Sequence, residues 1–511
     1  MRTPAIDFPV LATARLVSLL AISCLIALLF VQNPILTFSI CAGIGILLIA
    51  FLWFTKKDRI HIWQFSWLLV LSGYILFDYG FSNLVIHLAG FPFIVGHMVG
   101  FVALVIAMLA SRGKIGIAFK EPSLIFLIAL GLFTVTRLIF DVETKGFGAI
   151  RDASLYFESA FFILGFLWVF KDPDLKLLMR WFFVIFILNL VYCLFFPWRM
   201  DIAALSPRSG IFRPVPVFGS FHHNYIFLLL GAFFCLWIAK YIKQWPAWVL
   251  QSLAIIQLLG LAILQARSMY VGFILTVILL IFLAEGRKFT KIMAILFLAF
   301  CGLILISPIL SQYKVAGRLG PASVDFLVKH FQSIAGGRQD FAVSPVEERI
   351  QWFQEVVGQT ATDSQTLLLG QGFGHPLINF TITNPETGII QVRQPHNTHL
   401  SVFARLGFIG LLLWIGFHIS VILRFVFAIR IRRKLDRRYS DFVLWLFLYY
   451  IQIMLVTSVE PLLEFSYGAI PFYFLTGAAI AFLRQCQKPA KQEMKSAVPA
   501  FRSQRVALSP N

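Results

Sequence analysis

The chain has 511 residues, of which 59% are hydrophobic and only 13% charged, with a formal net charge of +19. An ordinary globular protein carries about 25% charged residues, so the composition excludes a water-soluble fold for most of this molecule. Its Lys and Arg residues stand in short clusters between apolar runs and in the C-terminal tail, a distribution that argues for a lipid bilayer and against nucleic acid as the partner.

Apolar runs of spanning length recur from end to end. They predict an all-α polytopic membrane protein of about 12–14 transmembrane helices with one long, partly helical loop outside the membrane. Candidate spans centre near residues 21, 45, 71, 100, 131, 160, 187, 233, 256, 276, 299, 411, 450 and 475. The first follows Arg2 and Arg15, runs to Val31 and ends at Gln32-Asn33-Pro34 without a small-residue cleavage pattern, so it reads as a retained span. Six scattered cysteines, Cys24, Cys41, Cys193, Cys235, Cys301 and Cys486, show no CxxC spacing and suggest neither a disulfide framework nor a metal knuckle.

The connections alternate in charge. Lys56-Lys57-Asp58-Arg59, Arg112/Lys114/Lys120, Lys171/Lys176/Arg180, Lys240/Lys243, Arg287/Lys288/Lys291 and the run Arg424–Arg438 fall at every second connection. These clusters and both termini are expected in the cytoplasm. Three segments are then expected on the far side: the loop 198–223, the turn Gln265–Ser268 and the long stretch Pro308–Pro395. From Leu310 to Pro395 there are six Lys/Arg against seven Asp/Glu, a near-neutral balance.

The long loop carries helix signals of its own. Val324, Leu327, Val328 and Phe331 recur at helical spacing and suggest an amphipathic segment. Ser344-Pro345-Val346-Glu347 reads as a capping box opening a second helix, with Ile350, Phe353 and Val357 on its apolar face and Arg349 beside that face.

The residues that suggest chemistry lie on this same side. His396, in Gln394-Pro395-His396-Asn397-Thr398-His399-Leu400, stands where the loop meets a span and titrates near neutrality when unperturbed. Arg267 sits in Gln265-Ala266-Arg267-Ser268, a turn so short that its guanidinium is expected at the membrane–water boundary. There it either snorkels to lipid phosphates or offers a planar fork to a substrate phosphate. Arg213 and Arg349 share that side and that reading. His396 and His399 are three apart, but no carboxylates cluster beside them and His222-His223 diverge, so no metal is assigned. Arg137 and Glu158 are candidates for an intramembrane pair, and Glu460 and Glu464 for shaping an acceptor cleft.

Four ordered blocks over residues 213–423 resemble the O-antigen ligase and polymerase superfamily of bacterial envelope glycan enzymes. They are Arg213…Gly219…Asn224, then Ala266-Arg267-Ser268, then Glu348-Arg349-Ile350-Gln351-Trp352 with Leu369-Gly370-Gln371-Gly372-Phe373-Gly374. The fourth is His396-Asn397-Thr398-His399-Leu400 through Arg405-Leu406-Gly407-Phe408-Ile409-Gly410-Leu411. Arg405 stands where many members carry an acid.

The resemblance implies a multi-pass enzyme of the inner membrane, working on the periplasmic face without cofactor or metal. It implies transfer of a glycan from an undecaprenyl-diphosphate carrier to a hydroxyl of a glycan or lipid A-core acceptor. His396 would be the base, and Arg267, Arg349 and Arg213 would hold the donor diphosphate. Asn397, His399 and Asn224 would serve the acceptor or support the site. A polymerase of O-antigen, capsule or exopolysaccharide repeat units shares these motifs. A small-anion transporter and an assembly scaffold are the readings from other classes; the first predicts charges deep within spans and shorter loops, and the second gives no reason for the Arg267, Arg349 and His396 set.

The expected division of the chain is 1–197 for N-terminal spans and 198–309 for central spans with the outer loop 198–223 and the Arg267 turn. Residues 310–398 form the periplasmic loop, 399–484 the C-terminal spans and 485–511 a basic cytoplasmic tail without packed structure.

Overall fold

The computed structural model describes residues 60–506, apart from 89–90, 212, 242–245, 284–285, 379, 385–387 and all of 313–344 except Gly317 and Val328. The predicted amphipathic segment around Val324–Phe331 therefore lies outside the described residues but for Val328, as do the expected spans near residues 21 and 45.

The protein is a bundle of helices with three two-stranded antiparallel hairpins. In chain order the helices are α1 (Ile62–Ser82), α2 (Val95–Ala110), α3 (Arg112–Ala118), α4 (Pro122–Lys145), α5 (Phe147–Asp152), α6 (Ser154–Glu158), α7 (Phe161–Trp168), α8 (Lys176–Leu194), α9 (Arg199–Leu205), α10 (Asn224–Trp237), α11 (Ala247–Leu264), α12 (Arg267–Leu283) and α13 (Gly286–Gln312). After the long loop begins come α14 (Pro345–Thr360), α15 (Ser364–Leu369), α16 (Thr398–Ile431), α17 (Arg437–Thr457) and α18 (Ser466–Val506). Among the described residues 6 helices are long and apolar enough to cross a membrane, or 7 if the pair α2 and α3, bent by 105°, is one span. Shorter apolar helices occupy the remaining expected centres: 154–168, 224–237, 247–261, 268–283 and 292–305. The fold class is all-α and polytopic.

The core is built by the most buried span. In α18 the small residues let backbones meet: a Cβ on Gly477 would collide with the Phe162 carbonyl, and one on Gly165 with that of Phe474. This glycine-mediated approach packs α7 against α18, as membrane helices do when apolar burial supplies no driving force between them. Trp67 stacks on Phe161 at 5.0 Å beside this contact, and Phe474 meets Trp67 edge-on at 5.4 Å.

Helix α1 is broken at Asp78 (φ 47°, ψ −122°). The break frees carbonyls that water cannot reach in a bilayer. Asn224 supplies the missing donors, its amide bonding the Ile75 and Leu76 carbonyls at 2.9 and 3.1 Å and the Asn189 side-chain oxygen at 2.9 Å.

Ion pairs mark the two ends of the bundle. At the start of α4 the buried Glu121 carboxylate holds Arg424 of α16 at 2.5 Å and Arg484 of α18 at 3.0 Å. At the far end of α4, about 30 Å away by helical rise, Asp141 accepts the Phe373 N–H at 2.9 Å. The basic run Arg424–Arg438 and the long loop therefore sit at opposite ends. Arg137 and Glu158 do not pair with each other. Arg137 donates to the Gly370 carbonyl at 3.1 Å, and Glu158 meets His97 at 2.8 Å and the Ser466 hydroxyl at 2.5 Å.

The described part of the loop has a core of its own. Trp352 and Val356 of α14 pack with Leu377, Ile378, Phe380, Val392, Leu400 and Ala404. The hairpin Phe380–Asn384 with Gly388–Val392, registered Phe380↔Val392, was not expected; its β-branched alternation around Asn384 and Gly388 is the signal that marks it. The last helix runs on to Val506 where the polar tail predicts no packed structure, since Ala, Lys, Gln, Glu and Met there favour helix.

Candidate active site

A buried carboxylate, Asp152, joins Asp141 and Arg137 in seating the loop on the bundle. Asp152 pairs with Arg405 at 3.0 Å and Arg393 at 3.4 Å, and accepts the Gly374 N–H at 3.1 Å. Burial would raise the Asp152 pKa, and the Arg405, Arg151 and Arg393 charges more than offset it, leaving the pKa lowered. Arg405 also donates to the Gly372 carbonyl at 3.0 Å, while the Gln371 and Gly372 N–H groups donate to the carbonyls of Ala404 and Arg405. The Gly-x-Gly-x-Gly segment is thus a docking strap along the first turns of α16.

That docking delivers His396 to the mouth of the bundle. His396 adopts a left-handed backbone (φ 53°), rare for a residue other than Gly, Asn or Asp. The next residue, Asn397, caps α16 with its side chain accepting the Leu400 N–H at 3.0 Å. The half-buried His396 ring lies over Trp352, centroids 5.6 Å apart and tilted 31°. Arg349 precedes Trp352 by three residues on α14, so both stand on neighbouring faces of one helix. Burial lowers the His396 pKa, the Arg349 charge lowers it further and His223 adds to this, against an upward pull from Glu460; it falls to about 4. The imidazole is neutral at pH 7 and has a lone pair to offer.

Opposite stands a second chain of polar groups. His223 Nε2 meets Glu460 Oε2 at 2.8 Å, and the His223 N–H donates to Asp78 Oδ2 at 2.5 Å. The Ser268 hydroxyl donates to Glu460 Oε1 at 2.8 Å and lies 3.0 Å from the Tyr225 hydroxyl. Burial would lower the His223 pKa, but the hydrogen bond to Glu460 and the charges of Glu460 and of Asp78, 3.9 Å from Nδ1, outweigh it and lift it to about 9. His223 is therefore a buried cation between two carboxylates.

The other predicted residues are placed as follows. Arg267 opens α12 two residues after Gln265, whose left-handed φ of 46° makes the tight turn with only Ala266 between; its side chain is outside the described residues. Arg213 is partly exposed in the turn between strands Arg208–Ser209 and Val215–Pro216. His399 turns into the bundle, its Nδ1 accepting the Trp414 N–H at 2.9 Å. Asn224 braces the α1 break through its Nδ2, and Asn397 caps α16 through its Oδ1. His396, Arg349, Glu460 and His223 form one electrostatic group, and Ser268 brings the backbone of Arg267 beside it. Sequence reasoning missed Asp78, His223 and Asp152. A lone aspartate in an apolar run was the available signal for Asp78; the partners of the other two are too distant in sequence to leave one.

Residues 252–415 match the model of the O-antigen ligase family. Over these residues the chain is similar to an O-antigen ligase domain. No curated protein matches it. The ligase match spans α11 to the middle of α16 and contains Arg267, Arg349 and His396. At the family level it supports ligase-like glycan transfer by a multi-pass membrane enzyme acting on lipid-linked glycans. Asp78, Arg213, His223 and Glu460 lie outside the matched ligase residues, so the site joins the ligase domain to the flanking helices.

Proposed function

We propose that the protein moves an oligo- or polysaccharide from an undecaprenyl-diphosphate carrier to an acceptor hydroxyl, on the periplasmic face of the inner membrane and without a metal. The observation that carries this reading is the neutral, half-buried His396 beside the Arg349 charge, at the end of the bundle where the loop docks. The acceptor oxygen attacks the anomeric carbon of the donor sugar, and His396 takes its proton. The bond from that carbon to the diphosphate oxygen breaks, and undecaprenyl diphosphate leaves with the electron pair. Arg349, Arg267 and Arg213 meet the leaving charge, which needs oriented cations more than a general acid.

The shifted base suits this order of events. Arg349 depresses the His396 pKa in the free protein. A bound diphosphate offsets that positive charge and raises the proton affinity of the imidazole when the acceptor arrives. The acceptor itself decides between ligase and polymerase activity.

The test is a reconstituted reaction: purified protein in liposomes, an undecaprenyl-diphosphate-linked glycan and candidate acceptors, run with and without chelator. Release of undecaprenyl diphosphate with a lengthened acceptor is expected. Loss of both when chelator alone is added would overturn the metal-free mechanism, and their absence under all conditions would overturn the proposed reaction.

A further inference from the structure

We propose that Glu460 and His223 are positioning residues for the donor diphosphate: through Ser268 they fix the first turn of α12, the turn that carries Arg267. The inference rests on the function proposed above and names the part of the fold that sets its anion site. Helix α12 begins two residues after the left-handed Gln265, with only Ala266 between, so no loop packs around its first turn. Its restraint is polar. Ser268 is 6% exposed and donates to one oxygen of Glu460, while its own oxygen faces the Tyr225 hydroxyl. The other Glu460 oxygen is held by His223, and the His223 backbone is held by Asp78 in the break of α1. The serine hydroxyl is thus held by α10 through Tyr225 and by the interhelical loop through Glu460, and Glu460 is tied through His223 to the break of α1.

A carboxylate beside an anion site is a liability unless it does something else. Glu460 brings negative charge to where a diphosphate must bind, and the paired His223 cation offsets it. The two together leave the charge of the arginines available while Glu460 still anchors Ser268. The groups facing His223 are Asp78 from α1, Glu460 from the loop between α17 and α18, and Tyr467 from α18, its ring stacked at 5.1 Å. Tyr225 stands on its own helix at 5.8 Å, and His396 lies within range of its charge. Tyr74 and Tyr449 share a small internal cavity with Asp78 and His223. When His223 loses its proton, the charge-assisted bond to Glu460 weakens and the site gains a net negative charge.

Binding of undecaprenyl diphosphate to the full-length protein in lipid nanodiscs, from pH 6 to 10, tests this without knowledge of the glycan. Wild type is expected to bind, and to lose affinity as pH rises through about 9. Ser268→Ala, which changes no charge, is expected to weaken binding by about tenfold, the usual scale for a hydrogen bond to a charged group. Glu460→Gln is expected to weaken binding as well, and to move the pH midpoint down because His223 loses one of its two carboxylates. Simple charge repulsion predicts the opposite for Glu460→Gln, tighter binding. Tighter or unchanged binding in Glu460→Gln, or wild-type affinity in Ser268→Ala, overturns the inference and leaves the proposed reaction standing. Should Glu460→Gln fail to fold, Ser268→Ala decides alone. No binding by wild type overturns both.

Discussion

At the scale of single residues, the chemistry depends on a histidine kept neutral by its surroundings. A base must be unprotonated to work, and His396 protonates only as pH falls through about 4 in the free protein. The profile of kcat/KM, which reports the free enzyme, is therefore expected to stay flat on its acid side down to about pH 5. The limb for kcat is expected at higher pH, because bound diphosphate raises the imidazole pKa. An acid limb in kcat/KM near the ordinary histidine value, about 6.5, would mean that His396 is not the base or does not sit where burial and Arg349 reach it. The boundary positions of His396, Arg267 and Arg349 were legible in the sequence, at a loop meeting a span, at a turn with no length and in the first turns of a helix; their roles in the site are proposals. Glu460 was legible only as a cleft residue, without its partner, and Asp78, Asp152 and the second histidine were not legible. Glu460 lies 237 residues from His223 and Asp78 lies 145 from it, and nothing local in an apolar run says which distant charge answers it.

At the scale of elements, the docking strap is the joint on which the site depends. Gly370 has φ +79°, and a Cβ there would collide with the Arg405 carbonyl. Gly370→Ala is expected to cost about 1–3 kcal/mol of local strain and to lift the strap from α16. Activity should fall while the bundle stays folded, and limited proteolysis should cut more readily around residues 360–375. Unchanged proteolysis with full activity would show that the strap has room to adapt. The capped helix α14 was readable because Pro345 and Glu347 sit at its first turn. The role of the glycines was not, since a motif shows that backbone conformation is special and not what it packs against. Only the folded chain reveals that Arg405 answers Asp152 across 253 residues.

At the scale of the whole molecule, hydrophobic run length foretold the helical bundle, and every expected centre within the described residues holds an apolar helix. The breaks were not foretold. Helix α1 opens at Asp78 and α16 at Gly407 (φ 62°), inside runs that are long and apolar enough to read as single spans. Orientation is a proposal that rests on the Glu121 cluster and the basic run lying at the end of the bundle opposite the strap. Reporter fusions at Gln312 and Arg433 are expected to give opposite compartments, and the same compartment for both would contradict it. The central claim is a division of labour, with the arginine and carboxylate frame binding the diphosphate and His396 performing the proton transfer. The most direct measurement is donor binding and single-turnover transfer by His396→Ala, run beside wild type in the same liposomes. The account predicts bound donor with transfer reduced by roughly 10²–10⁴-fold, the scale for losing a general base. Transfer at the wild-type rate by His396→Ala would contradict it.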